Sequence, residues 1–143
     1  MIESSSDTGT DNIFSLSQDS QVRQITHFGK LADNAEMFGL SLSPDGNKIA
    51  FWLSLGPSFP QKEPLAVLDL GKERVINYCI TGPFETGGLS YPVWSPESRF
   101  LAIAHWYGTS SVQTVLLDTW QEWAANMAKG VTPEGWIINN PSP

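Results

Sequence analysis

Apolar residues along this chain come in short, dense blocks separated by turn-forming residues, with no sustained helical period. Ile49-Ala50-Phe51-Trp52-Leu53 and Leu101-Ala102-Ile103-Ala104-His105-Trp106 are apolar on both parities. A strand with one wet face alternates, so these blocks predict strands covered on both sides. A tight turn precedes each of them. In Ser43-Pro44-Asp45-Gly46, Pro presets φ, Asp bonds back to the chain and Gly takes the left-handed residue. This turn should join an incoming strand over 37–42 to an outgoing one over 48–53. In the second turn, Ser95-Pro96-Glu97-Ser98, a serine stands where glycine is expected. Ser98 is therefore predicted to be left-handed at a cost of about 1 kcal/mol, and Ser98→Gly to raise the melting temperature. Residues 120–129 have good helix propensity, but their place in the repeat described next favours a strand.

The two blocks belong to an internal repeat. Residues 40–51 match 92–103 with Ser43 and Ser95 52 positions apart, and Val67-Leu68-Asp69 matches Leu116-Leu117-Asp118 at a spacing of 49. Ile13-Phe14-Ser15-Leu16-Ser17 lies 52 positions ahead of its counterpart. A period near fifty is the size of a propeller blade. One parity of the outgoing strands carries Ala50, Ala102 and Ala104, and small residues on one face fit sheets stacked closely face to face. The fold class is therefore all-β, a partial β-propeller of antiparallel blades. Residues 1–11 read as a disordered leader, 12–28 as a partial blade, 36–81 and 89–129 as whole blades, 132–138 as an extra inner strand or degenerate turn, and 139–143 as a tail. That is about eleven strands, under three blades' worth, where closed rings use about four to eight blades. Large uncovered sheet faces are rare on soluble monomers. Two chains closing a six-bladed ring, being part of a longer propeller or docking on a different protein, and capping by the chain's own ends are the three ways to remove them.

Composition narrows the partners. With a net charge of −7 and only eight Lys and Arg, the chain lacks the basic stripe that neutralises phosphates, so nucleic acid is set aside. The same acidity disfavours an anionic membrane surface, and no apolar run is long enough to span a bilayer. Nor does the sequence show the n-region and h-region of a signal peptide. Cys79, the single cysteine, cannot form an intramolecular disulfide, and its apolar neighbours suggest a small buried hydrophobe.

Candidate chemistry is sparse. Asp69 and Asp118 sit at equivalent repeat positions, where a turn-stabilising role is favoured over an acid/base pair. His27 and His105 do not make a zinc pattern, and Asp45 lacks the ligand spacing of a calcium loop. Thr86-Gly87-Gly88-Leu89 lacks the lysine and helix of a phosphate-binding loop, and no nucleophile elbow occurs. No catalytic residue, cofactor or metal is expected. The aromatic residues stand out instead. Trp52, Trp106 and Tyr107 end predicted second strands, while Trp120 and Trp123 fall in a third-to-fourth-strand hairpin at a blade's rim. Most are expected to pack in the core, and Trp120, Trp123, Trp106, Tyr107 and Trp136 are the candidate interface residues. The proline-rich loop 56–64 is a further candidate contact.

Ser43-Pro44-Asp45-Gly46-Asn47-Lys48-Ile49-Ala50-Phe51 resembles the signature of TolB-like (WD40-like) β-propeller repeats, and Val93-Trp94-Ser95-Pro96 is similar to its first half. Val22-Arg23-Gln24-Ile25-Thr26 resembles the fourth-strand segment that precedes the next signature. The likeness spans most of residues 12–138, with Glu97-Ser98 departing from the signature. It implies a six-bladed architecture and a non-enzymatic protein-interaction module that assembles with itself or with a protein partner, and it leans toward the bacterial envelope or exterior. The competing reading is a propeller enzyme or ligand-binding propeller whose site forms in the assembled central channel.

Overall fold

The computed structural model describes residues 2–5, 9–59, 63–81, 91–107 and 111–137, with the side chains of 2–5, 81, 106, 107 and 111 outside the description. Eleven strands occur among these residues, in three antiparallel sheets. The first sheet holds β1 (Ile2–Ser5), β2 (Asn12–Leu16) and β3 (Val22–Gln24). The second is a meander of β4 (Glu36–Leu42), β5 (Lys48–Ser54), β6 (Pro64–Asp69) and β7 (Arg74–Thr81). The third repeats it with β8 (Val93–Trp94), β9 (Phe100–Tyr107), β10 (Ser111–Asp118) and β11 (Trp123–Lys129). A 3-10 turn over Phe28–Lys30 links the first sheet to the second. Within the 120–129 region Trp123–Lys129 is strand, as the repeat requires, despite its helix propensity, and 120–122 form the preceding turn.

Double-sided burial organises the core. Along β5, Ile49, Phe51 and Leu53 enter one apolar cluster and Ala50 and Trp52 enter another. Along β6, Ala66 and Leu68 join the first cluster while Leu65 and Val67 join the second. Successive side chains of a strand point to opposite faces, so the second sheet is sandwiched between the other two. Ile13 and Phe28 fill the first slab, where the Phe28 and Phe51 rings meet edge-on with centroids 5.9 Å apart. Trp94, Leu101, Ile103, Val115 and Leu117 face the second sheet across the second slab. Stacked sheets with meander topology are the arrangement of propeller blades.

Both signature turns close in the same way. Gly46 N–H donates to Ser43 O and Ser98 N–H to Ser95 O, each at 2.9 Å. The serine hydroxyls then accept the first amide of the outgoing strand, Lys48 N–H at 2.9 Å and Phe100 N–H at 3.0 Å. Each serine thus satisfies a backbone donor that would otherwise be left at a buried corner, since Ser43 and Ser95 are themselves buried. Gly46 has φ 73° and Ser98 φ 60°, so the serine does adopt the left-handed conformation.

Three expectations are corrected. Ile2–Ser5, placed in a disordered leader, forms β1 and pairs with β2 in register from Ile2↔Ser15 to Ser5↔Asn12. The exposed backbone edge of β2 captures this segment whatever its polarity. Residues 131–137 form no strand. No described strand pairs with them, and Ile138 lies outside the described residues. Cys79 is exposed rather than buried. It sits with φ 56° in an irregularity of the β6–β7 ladder, its amide bonded to Asn77 Oδ1, which turns it out of the apolar face.

Candidate interaction surface

The paired Asp residues act in turns. Asp69 accepts Lys72 N–H at 3.0 Å and closes the β6–β7 hairpin. Asp118 accepts Trp120 N–H at 2.9 Å and Gln121 N–H at 3.1 Å in the β10–β11 hairpin. Its other oxygen meets the Arg99 guanidinium, whose Nε lies 2.9 Å away. Asp118 is fully buried, and the Arg99 bond together with the two turn amides holds its carboxyl down at about 2 despite burial. Among the described residues, no three His, Cys, Asp or Glu come together as metal ligands. No described helix is long and apolar enough to cross a membrane.

A cleft of about 330 Å³ opens between the second and third sheets, lined by Lys48, Asp69, Arg74, Tyr78, Trp120 and Glu122 among others. Its charges answer one another. Arg74 pairs with Glu122 at 3.4 Å, Lys72 with Asp69 at 3.4 Å, and Lys48 Nζ donates to Thr119 Oγ1 at 3.0 Å. Lys48 also lies 5.9 Å from the Trp94 ring centre. The Tyr78 hydroxyl is buried without a hydrogen-bond partner among the described residues, and burial pushes its pKa up to about 12. None of these cleft residues except Asp69 and Trp120 stood out in the sequence. The basic residue near the start of the outer strands β3 and β7, Arg23 and Arg74, was the available signal.

Each sheet is tied to the next by contacts that recur along the chain. Trp94 Nε1–H donates to Ser41 O at 2.9 Å. Trp136 Nε1–H donates to Val93 O at 3.2 Å, and Val93 occupies the position 52 residues after Ser41. At the rim, Arg23 of the first sheet pairs with Glu73 of the second, and Arg74 of the second with Glu122 of the third. Glu73 and Glu122 hold equivalent turn positions with φ 50° and 55°.

The aromatic candidates separate. Trp52 and Trp94 belong to the interior slab. Trp120 is 64% exposed with Arg99 stacked 5.3 Å from its ring centre, and Trp123 is 42% exposed with its Nε1–H bonded to Gln121 Oε1. Trp136 remains about a third accessible beside the inner strand of the third sheet. The side chains of Trp106 and Tyr107 lie outside the described residues, as does the 86–89 glycine segment. Of the proline-rich loop, residues 60–62 lie outside them, and Phe59 is exposed.

The two terminal sheets present unmatched faces. On the third sheet, Ala102, Leu116 and Ala125 pair across β9, β10 and β11 on the side opposite the core, together with Ala104 and Thr114. At equivalent positions of the second sheet stand Ala50, Val67, Ile76, Trp52 and Leu65. Of these, Ala50, Trp52, Leu65 and Val67 are at most 2% exposed under the third sheet. On the third sheet, Ala102, Thr114, Leu116 and Ala125 stay partly accessible, although Ala104 is buried. Met127 on the same strand as Ala125 is 62% exposed. On the first sheet, Phe14 and Leu16 point away from Ile13, and Val22, paired with Leu16, is 69% exposed.

No protein-family profile matches the sequence, and no curated protein matches it. Solved structures do. TolB from Acinetobacter baumannii superposes with a TM-score of 0.61 at 21% identity over 87% of this chain. An oligogalacturonate lyase in complex with manganese gives 0.60 at 16% identity over 90%, and a prolyl endopeptidase 0.57 at 13% over 87%. The chain spans 28%, 36% and 20% of those three proteins. At such identities the likeness fixes the fold and does not choose between binding proteins and enzymes. The chain is a stretch of β-propeller blades, with the fold it shares with TolB.

Proposed function

We infer that this chain is a protein-interaction module that works through the sheet faces at its two ends rather than through a catalytic centre. One observation carries this reading. Ala50, Leu65 and Val67 are sealed on the second sheet, whereas their equivalents Ala102, Thr114 and Leu116 are partly accessible on the third, where Trp123 and Met127 of β11 are exposed. An apolar blade face of this kind gains free energy when another protein covers it. The charges of the cleft are paired and Asp69 and Asp118 serve turns, so among the described residues the apolar face is the feature that most calls for a partner.

The test is photo-crosslinking with benzoylphenylalanine placed at Met127, at Val22, and at the exposed Asn47 on the turn face as a control. Protein adducts, to this chain or another, should form at positions 127 and 22 and not at 47. Equal yields at all three positions, or none at the two end faces, would contradict the reading.

A further inference from the structure

Among the described residues, the first and third sheets differ from the second in complementary ways. The first sheet repeats three strands of a blade: its Ile13 aligns with Leu65 of β6, which makes β2 the third strand, β3 the fourth and β1 the second. No strand occupies the innermost place beside β1 among the described residues. At the other end, the segment after β11 crosses back to the inner strand of the third sheet. Thr114 Oγ1–H donates to Val131 O at 2.8 Å, and Trp136 then bonds to Val93 O. Trp136 thereby stands toward the third sheet as Trp94, on the inner strand β8, stands toward the second. Among the described residues, the first sheet has no inner strand, and residues 131–137 run beside the third sheet with no sheet of their own.

The side chains on the two faces are complementary in kind. The third sheet has exchanged Trp52, Leu65 and Ile76 for Ala104, Thr114 and Ala125, which hollows its outward side. The first sheet offers Phe14, Leu16 and Val22 on its outward side. The rim ion pair that joins the other sheets is missing from both ends at once. Trp123 stands where Arg74 does, Ala125 where Arg23 does, and Ser20 where Glu73 and Glu122 do. A junction between the two ends therefore requires none of these rim charges to be buried unpaired.

We propose that the partner is a second copy of this chain bound head to tail, its first sheet seated on the third sheet and taking residues 135–137 as the innermost strand. This rests on the interaction-module reading and names the partner of the same surface. Such a contact is heterologous, and two copies satisfy both ends only by closing on each other. The ring then contains six blades, within the range that closes.

The test uses two full-length variants with differently sized tags, Val22→Glu at the head and Trp136→Ala at the tail, with Met127→Glu as a second tail variant. All three positions are exposed or partly so, and far-UV circular dichroism verifies that each variant folds. Each variant alone should lose the two-copy species in native mass spectrometry. An equimolar mixture of head and tail variants should regain a mixed-tag pair, because one junction in that pair is intact. A mixture that stays at single-copy mass overturns the head-to-tail arrangement, as does a Val22→Glu variant that associates like wild type. Wild-type chain that remains at 15.7 kDa also overturns it, while crosslinks to other proteins at positions 22 and 127 would still uphold the interaction reading.

Discussion

The backbone N–H of Asp45 donates to the hydroxyl of Ser98 at 2.9 Å, joining the signature turn of the second sheet to that of the third. Ser98 is buried and left-handed, with φ 60°. The departure from glycine therefore has a use. The strain of a side chain at positive φ, about 1 kcal/mol, is balanced by an inter-sheet bond of about 1 kcal/mol. This revises the expectation that Ser98→Gly raises the melting temperature, because glycine removes strain and bond together. Ser98→Ala keeps the strain and loses the bond, so it should melt lower by about 3–5 °C. Ser98→Gly should melt within about 2 °C of wild type. Thermal denaturation of the two variants checks this, and a glycine variant below the alanine variant would contradict it.

Asp118 should govern acid stability. Unfolded, its carboxyl titrates near the ordinary value of about 3.9; folded, it keeps its charge down to about 2, chiefly through Arg99. Folding thus favours the ionised form. That contribution is complete above roughly pH 4 and is lost as pH falls toward 2. Asp118→Asn should flatten the fall in stability over this window, as followed by urea denaturation at stepped pH. Asp118→Ala, which also strips the Trp120 and Gln121 amides of their acceptor, should cost about 3 kcal/mol at neutral pH.

Tryptophans of the interior and the rim should respond differently. Trp52 is fully buried between the second and third sheets, so Trp52→Ala should cost about 3–5 kcal/mol. Trp120→Ala removes an exposed ring stacked on Arg99 and should cost no more than about 1 kcal/mol. Chemical denaturation distinguishes the two, and similar losses would mean that the rim ring is core.

Cys79 should react with a thiol reagent in the native protein about as fast as in the unfolded chain, because the ladder irregularity turns it outward. Protection of tenfold or more under native conditions would place it back inside.

How much of this was legible in the sequence depended on how local the cause was. The Ser43–Gly46 turn, the doubly buried β5 and the hairpin duty of Asp69 and Asp118 all follow from chemistry within a few residues, whereas β9 reads as covered on both sides and leaves Ala102 partly accessible. β1 did not, because a polar segment becomes a strand when a free edge pairs with it. Cys79 did not, because its orientation depends on a bulge whose register is set across two strands. The contacts between Ser98 and Asp45, and between Trp136 and Val93, join residues more than forty positions apart and exist only once the sheets stack.

Sedimentation equilibrium of the unmodified chain over a wide concentration range tests the completion of its open faces most directly. The account predicts a species of twice 15.7 kDa that dissociates on dilution. A single species of 15.7 kDa at every concentration would contradict completion by a second copy.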